Sequence, residues 1–264
     1  MSNHVNERWA KNTANYDTFR PSVPAEILNQ VVSLYGEPID CVLDLGCGTG
    51  LSTKPWSPYA KQVIGIDPSE EMLAWASKTS LANIRFMQGS GNAIPLPDGS
   101  VDIVACHASI HWMEPESSIL EIMRVLKPQG MLVLLNHNWP PLSNNLALDA
   151  TYFQFKSALG KLVADKGYYK NYYYRIDAFS TWLYKAKRFD YFREFHMHQS
   201  VEWSAEQYLG FTYTYGDLTL MLQEGVSKAD MRLDVLEEQT DACFKQSTQP
   251  LMFTWRVDLF KNKR

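Results

Sequence analysis

Two apolar runs that each end in an aspartate, with a glycine-rich turn between them, constrain the fold of this chain most. The first run, Val42-Leu43-Asp44-Leu45, leads into Gly46-Cys47-Gly48-Thr49-Gly50, and the second, Val63-Ile64-Gly65-Ile66, leads into Asp67. Two parallel strands whose carboxyl ends meet at one crevice give this pattern, and ligands of open α/β sheets bind in that crevice. The turn requires glycine because its backbone must reverse sharply and allow a ligand to approach closely.

The spacing of the turn bears on the choice of ligand. It is G-x-G-x-G and lacks the third glycine of the G-x-G-x-x-G dinucleotide-binding turn. Asp67, at the end of the second run, is placed to accept hydrogen bonds from the hydroxyls of a ribose. The pattern therefore predicts a nucleoside-like ligand and argues against a nicotinamide dinucleotide.

Composition narrows the class of protein further. The 264 residues are 45% hydrophobic, which is enough for a sizeable core, and the net charge is −4. The only basic run is Lys261-Asn262-Lys263-Arg264, so we expect no nucleic-acid partner. We expect one domain over residues 1–264, as a monomer or a homodimer.

Cysteine usage and hydropathy predict a cytoplasmic protein. The four cysteines form no C-x-x-C pair, and three of them lie in apolar, strand-like runs, as expected of buried thiols in a reducing compartment. The polar start of the chain does not resemble a secretion signal. No run of 18 apolar residues occurs, so we expect no membrane partner.

Alternating strand and helix patterns over the first 136 residues predict βαβ units and a parallel sheet. Helices are expected at residues 22–36, with Ser22 as the cap, from Pro68 onward, and at 116–126, where Lys127–Gly130 stops the helix. Pro55 and Pro58 keep the first crossover helix short or broken. The predicted strands are 41–45, 62–67, 84–88, 101–106 and 131–136.

The second half of the chain differs in character. Residues 139–190 and 204–248 are helix-like, whereas 189–201 and 251–260 are strand-like and suit an antiparallel edge. The predicted fold class is therefore α/β, doubly wound, with a mainly parallel seven-stranded sheet that carries an antiparallel edge strand.

Four motifs in order resemble the class I S-adenosylmethionine-dependent methyltransferases of the type 11 branch. They begin at Asp44, Gly65, Gln88 and Val125 and run through the glycine turn, Gly65–Leu73, Gln88–Asp102 and Val125–Gly130. Tyr16–Pro24, Ala108–Trp112 and Glu202–Gly210 resemble the subgroup of trans-aconitate methyltransferases. The resemblance implies a Rossmann-like fold with an inserted helical lid.

The resemblance also implies a division of the chain. Residues 1–23 would be an N-terminal lid segment, 24–136 the cofactor-binding core and 137–190 a helical insert over the acceptor site. Residues 191–264 would supply the strands and helices that complete the sheet.

The implied cofactor is S-adenosyl-L-methionine, with S-adenosyl-L-homocysteine as product. Asp44 would reach the methionine ammonium and Asp67 the ribose hydroxyls, although each acid could instead only cap the local turn or the next helix. The residues implied to contact the cofactor are Asp44, Gly46, Cys47, Gly48, Gly50, Asp67, Pro68, Met72, Ser90, Asn92, Ala93, Tyr16 and Arg20.

Adenine recognition departs from the family pattern. Pro68 and Met72 would cover one face of the ring, with Ala93 on the other, although a methionine at helical spacing is often a core residue. The third motif has Ser90 and Asn92 where the family usually has acids, so neutral hydrogen bonds from one of them would hold the adenine amino group.

The acceptor end of the site is less specified by the resemblance. His111 is the candidate base, although a carboxylate acceptor needs none and a lone histidine often only holds structure. The candidate substrate-binding residues are Trp112, Arg20, Tyr172 and Arg175. Arg20 suits two-point recognition of a carboxylate but could equally be a surface arginine. No metal site is expected, because the histidines show no ligand spacing with acids or thiols.

These observations favour methyl transfer to a small molecule by in-line displacement, with a carboxylate as the first candidate acceptor. Another metabolite, such as a natural product or a quinone precursor, could instead be methylated on nitrogen, oxygen or carbon. From other classes, an NAD-linked oxidoreductase and a protein that binds the cofactor without turnover both stay open.

Overall fold

The computed structural model describes residues 13–168, 176–185, 187 and 189–262. Internal contacts divide the chain into two compact units. The larger comprises residues 22–137, 172–197 and 255–264, and the smaller comprises 1–21, 138–171 and 198–254. The expectation of a single domain with a lid stays a prediction.

Eight strands occur in the described part of the chain. The five predicted parallel strands are all present, and two long strands and one two-residue strand follow them. Their bounds are β1 Ile39–Leu45, β2 Ala60–Asp67, β3 Ile84–Gln88, β4 Val101–His107, β5 Leu126–His137, β6 Leu142–Ser143, β7 Tyr191–Trp203 and β8 Gln249–Lys261. The count exceeds the seven predicted because Leu142–Ser143 pairs with β8.

The sheet of the larger unit has the order β3-β2-β1-β4-β5-β8. The first four pairs are parallel, and β8 runs antiparallel to β5, so the predicted α/β class and antiparallel strand are confirmed. The sheet reverses its winding direction between β1 and β4. This topological switch point places the carboxyl ends of β1, β2 and β4 around one crevice.

One α-helix of the larger unit precedes β1 and the others lie between strands, in the segments that the sequence predicts to be helical. They are α2 Ala25–Tyr35, α3 Glu70–Ala76, α4 Pro115–Val125 and α6 Ile176–Lys185, with 3-10 helices at Lys54–Tyr59 and Ile110–Trp112. Gly36 ends α2 in the left-handed conformation, with its N–H donating to Val32 O. The side chain of Ser69 caps α3 by accepting from Met72 N. The first crossover is a 3-10 helix because Pro55 and Pro58 prevent a regular α-helix.

Two local predictions were wrong. Ser22 does not cap α2, because Pro24 occupies the cap position and makes no side-chain hydrogen bond there. The fifth strand was predicted to begin at residue 131 but begins at Leu126, directly after α4, so Lys127–Gly130 ends the helix as expected but lies within β5. The pairing of β4 with β5 is irregular here, and Gln129 has a φ of 62°, so these residues form a bulge in the strand.

Asp102, at the start of β4, ties three elements of the larger unit together. Its carboxylate accepts hydrogen bonds from the Tyr35 hydroxyl at 3.0 Å and from the backbone N–H groups of Asp40 and Cys41 at 3.0 and 2.8 Å. The Lys127 ammonium lies 2.9 Å from the same carboxylate. The side chain is buried, so these donors replace the water that ionised Asp102 loses on folding.

The smaller unit is a helical assembly with its own apolar core. Its helices are α1 Thr13–Phe19, α5 Leu146–Asp165, α7 Ala205–Tyr213, α8 Gly216–Gln223 and α9 Leu233–Phe244. Fully buried Tyr152, Phe155, Tyr208 and Phe244 form much of this core. The described helices include none with the length and hydrophobicity that a membrane crossing requires.

We expect Asp102→Ala to lower the free energy of unfolding by about 3 kcal/mol, because it leaves the buried amides of β1 without an acceptor. Urea denaturation measures this loss. Asp98→Ala is the matched control, because Asp98 is 80% exposed in its ion pair with Arg124 and surface pairs contribute little. Equal losses in the two variants would contradict the assigned role of Asp102.

Candidate cofactor site

The glycine turn after β1 is held against the end of β2 by backbone hydrogen bonds. The N–H groups of Gly46 and Cys47 both donate to Ile66 O, at 2.7 and 3.0 Å. Gly46, Gly48 and Gly50 have φ angles of 78°, 52° and 77°, which side chains rarely adopt. The backbone conformation by itself therefore requires glycine at these three positions.

Two of these glycines also differ in the space around them. A Cβ on Gly46 would lie 2.5 Å from the Cβ of Ser109, whereas a Cβ on Gly48 would meet no atom within 4 Å. The backbone at Gly48 thus borders open space, as the close approach of a ligand requires. Ser109 is fixed beside the turn by its hydroxyl, which donates to Leu45 O at 2.6 Å.

Asp67 uses both carboxylate oxygens to organise the crevice. Its Oδ2 accepts from Gly48 N and its Oδ1 from Ser69 N, each at 2.9 Å. The acid therefore supports the glycine turn and the start of α3. Burial raises the pKa of Asp67, while these two backbone donors lower it. Each oxygen keeps a second lone pair, so the role in ribose binding stays a prediction.

Asp44 is completely buried and only half satisfied. The hydroxyls of Ser52 and Thr53 donate to its Oδ2, at 2.7 and 2.6 Å. Its Oδ1 has no hydrogen-bond partner within the described part of the chain. Burial raises the pKa of Asp44 to about 6, against the opposing effect of the two hydroxyls. Such an acceptor fits an ammonium group, either directly or through water.

Thr49, inside the glycine turn, is a buried polar residue to which the sequence motifs assign no role. Its hydroxyl is fully buried and, among the residues described, has no hydrogen-bond partner. The burial of this hydroxyl depends on the packing around the turn, so no sequence pattern could predict it.

The third-motif loop is shaped by a tight turn and anchored by an arginine. Ser90 and Ala93 form an isolated bridge, and the Ser90 hydroxyl donates to Asn92 Oδ1 at 2.7 Å. Arg124 on α4 donates to Ile94 O and Leu96 O, each at 2.8 Å, and to the carboxylates of Asp98 and Glu121. The neutral pair of Ser90 and Asn92 is therefore held in a defined conformation, and its contact with adenine stays a prediction.

The residues predicted on either face of adenine lie at the same end of the sheet. Pro68 follows β2 directly and is half-buried, while Met72 is almost fully buried in α3. Cys47 is also buried, and burial raises its pKa well above the usual value, so an inert thiol is expected. The burial of Met72 suits a core residue as well as a wall of the site.

His111 and Trp112 lie in the 3-10 helix that follows β4. Their ring centroids are 5.0 Å apart. Their position after a parallel strand places them at the carboxyl edge of the sheet, where the sequence predicts them. Their roles toward an acceptor stay predictions.

A second histidine cluster at this edge was not predicted. His107 ends β4 and His137 ends β5, and their ring centroids lie 5.4 and 5.2 Å from that of Trp255 on β8. The signal was present in the sequence, because each histidine is the last residue of one of two neighbouring strands. The described residues hold no group of three or more potential metal ligands.

The remaining predicted residues do not all fall in the larger unit. Tyr16 and Arg20 belong to the smaller unit, where the Arg20 guanidinium lies 4.7 Å from the Tyr16 ring centroid. Their predicted contact with the cofactor is untested. Tyr172 and Arg175 lie outside the described residues.

Comparison with known proteins finds similarity to methyltransferases within the larger unit. A family model for a methyltransferase domain matches residues 43–134. The uncharacterized methyltransferase YcgJ of Bacillus subtilis is 36% identical over 104 residues, which cover 38% of this chain and 41% of that protein. The protein named "Probable S-adenosylmethionine-dependent methyltransferase CRG1" of Saccharomyces cerevisiae is 30% identical over 162 residues, covering 58% of this chain and 56% of that one. The chain thus spans about half the length of these relatives.

The solved structure of YcgJ shows that the fold is shared more widely than the sequence. It matches with a TM-score of 0.56 at 17% identity and covers 91% of this chain and 100% of that chain. The names of these relatives do not test the resemblance to trans-aconitate methyltransferases, which stays a prediction. The matched domain contains Asp44, the glycine turn, Asp67 and the third-motif loop. The residues that match the methyltransferase family model thus include those that form the candidate site.

Proposed function

We propose that this protein transfers a methyl group from S-adenosyl-L-methionine to a small organic acid, forming an ester on its carboxylate. The observation that carries the proposal is the Oδ1 of buried Asp44, which accepts no hydrogen bond from any described residue and lies beside a glycine turn that opens at Gly48. An ammonium-bearing nucleoside with a ribose diol would satisfy both Asp44 and Asp67. The methyltransferase domain supplies the independent support.

The cofactor supplies an electrophilic methyl group on its sulfonium. The residues of the chain bind and orient the cofactor and exclude water from it. Asp44 holds the ammonium, Asp67 accepts from the ribose hydroxyls and Gly48 lets the backbone approach. Orientation alone can lower a barrier by roughly 7–11 kcal/mol in favourable cases, so an acid–base pair is not obligatory.

The chemistry of the acceptor decides whether this end of the site needs a base. A carboxylate is already a nucleophile at neutral pH, so no base is needed and His111 serves to position the acceptor. Trp112 would form part of the wall beside the reacting atoms. For a hydroxyl acceptor, His111 would instead take the proton, and this is the alternative within the same class.

A reducing, cytoplasmic setting belongs to the proposal. All four cysteines are free, and Cys41, Cys47 and Cys106 are buried in the larger unit. Buried free thiols are typical of proteins that fold where disulfides do not form.

Calorimetry and a turnover screen test the proposal together. We expect S-adenosylmethionine to bind and NAD to give no heat of binding. A screen of organic acids, each beside its neutral amide, is then expected to give S-adenosylhomocysteine with acids only. Binding of NAD alone would favour an oxidoreductase, and cofactor binding without turnover of any acceptor would favour a binding protein.

We expect Asp67→Asn to weaken cofactor binding by about 1–3 kcal/mol, because a charged acceptor of the ribose hydroxyls is lost. Calorimetric titration with S-adenosylhomocysteine measures the change. Glu70→Gln is the matched control, since Glu70 is an exposed acid at the start of α3. Unchanged affinity in Asp67→Asn would show that the second motif is misassigned.

We expect cofactor affinity to depend on pH through Asp44, whose pKa burial raises to about 6. The ammonium prefers the ionised carboxylate, so affinity is highest above pH 6 and falls by up to about tenfold per pH unit below it. Calorimetry between pH 5 and 8 measures this profile. Asp44→Asn is expected to bind weakly and to lose the dependence, whereas an unchanged profile in that variant would assign the titration to another group.

A further inference from the structure

A pair of half-buried cations in the smaller unit, Arg20 and Lys156, has no role in the function proposed above. Arg20 follows α1, and Lys156 lies in the middle of α5. The Arg20 guanidinium lies 4.4 Å and the Lys156 ammonium 6.0 Å from the ring centroid of Trp139. The sequence predicted a role for Arg20 alone, because Lys156 looks like any helical lysine.

The surroundings of Arg20 fix its position without neutralising it. Its Nε donates to Thr214 Oγ1 at 2.8 Å and its Nη2 to Thr214 O at 3.4 Å. The preceding Phe19 packs against Gly210 on α7, where a Cβ would lie 2.5 Å from the Phe19 ring. These contacts leave the Nη1 edge of the guanidinium without a hydrogen bond within the described part of the chain.

Lys156 is also held by a ring rather than by an acid. Its ammonium lies 3.5 Å from the ring centroid of Tyr215. In the described chain neither Arg20 nor Lys156 forms an ion pair. Burial lowers the pKa of Lys156 to about 8, with the Arg20 charge adding to this effect and the Asp217 charge opposing it.

Among the described residues, the charges around the two cations do not balance. Asp217, a buried residue in the first turn of α8, is the acid that acts on Lys156. Two half-buried cations thus face one carboxylate within the described part of the chain, and one further negative charge would stabilise them.

We propose that Arg20 and Lys156 form an anion site that binds one carboxylate of an organic acid, with Trp139 and Tyr215 contacting its apolar body. A monoanion balances the local charge, whereas a phosphate dianion would leave an excess negative charge in a buried place. The planar fork of Arg20 suits the two oxygens of a carboxylate. Anion binding does not depend on the proposed function. Only the assignment of this acid as the methyl acceptor rests on that function.

Binding is tested without cofactor, using benzoate, benzamide and inorganic phosphate as probes in calorimetry at pH 7. We expect benzoate to bind at least about tenfold more tightly than the other two, because it alone offers one negative charge and a flat ring. Phosphate binding more tightly than benzoate, or benzamide binding equally well, would overturn the assignment.

Two charge-removing variants locate the site. Lys156→Met and Arg20→Gln are each expected to weaken benzoate binding at least about tenfold, and Lys156→Arg to retain it. Lys161→Met is the matched control, because Lys161 lies in the same helix and is exposed. A similar loss in Lys161→Met, or no loss in the other two, would overturn the proposal.

A measurement on the unmodified protein tests the proposal even if the variants do not fold. With lysines labelled at the ε carbon, NMR titration is expected to give Lys156 a midpoint near the value of about 8 that burial sets for its pKa. Benzoate is expected to move this midpoint to higher pH because the bound anion favours the ammonium, and to leave Lys161 unchanged. A midpoint that benzoate does not move would contradict the anion site.

The two proposals fail separately. Cofactor binding without benzoate binding would remove the anion site and leave methyl transfer standing. Benzoate binding to Arg20 and Lys156 without any cofactor binding would keep the anion site and remove the proposed reaction.

Discussion

The geometry of the crevice depends on two buried carboxylates whose hydrogen bonds shape the backbone around them. Asp67 accepts from the N–H groups of Gly48 and Ser69, and Asp44 accepts from the hydroxyls of Ser52 and Thr53. Since burying an ionised carboxylate is costly, each of these donors offsets part of the desolvation. The loop conformation and the charge of the crevice are therefore coupled through these two side chains.

Comparison with Asp102 shows why Asp44 is assigned to a site rather than to the framework. All three aspartates end or begin strands of the same sheet, and all are buried. Asp102 receives donors on both oxygens from Tyr35, Lys127 and two backbone amides. Asp44 keeps one oxygen without a donor among the residues described. An unmet acceptor in a buried position costs stability, so a ligand that supplies the missing donor would offset this cost.

What the sequence could predict was local. The five parallel strands and the start of a helix after Pro68 depend on neighbouring residues, and their presence was predicted correctly, although most strand bounds differ by one to several residues. The cap at Ser22 and the start of the fifth strand were predicted wrongly, because a proline occupies the cap position and a bulge lets the strand begin directly after α4.

What the sequence could not predict required contacts across the chain. Arg124 anchors a loop whose residues lie 26 to 30 positions away, and Asp102 joins Tyr35 from 67 positions away. Lys156 is set apart from Lys161 only by burial against Trp139 and Tyr215. Residues of ordinary appearance thus acquire their roles from tertiary packing, which no motif records.

The opposite charges of the two candidate sites follow from the chemistry of the two proposed ligands. A sulfonium nucleoside carrying an ammonium is attracted by Asp44 and Asp67, but these carboxylates would repel an acidic acceptor. An acidic acceptor would therefore need cations of its own. Arg20 and Lys156 suit this role, because aromatic rings contact both side chains and Asp217 offsets only one of the two charges among the described residues. Cation–π contact keeps the two side chains ordered while leaving their charge available, which an ion pair would not do.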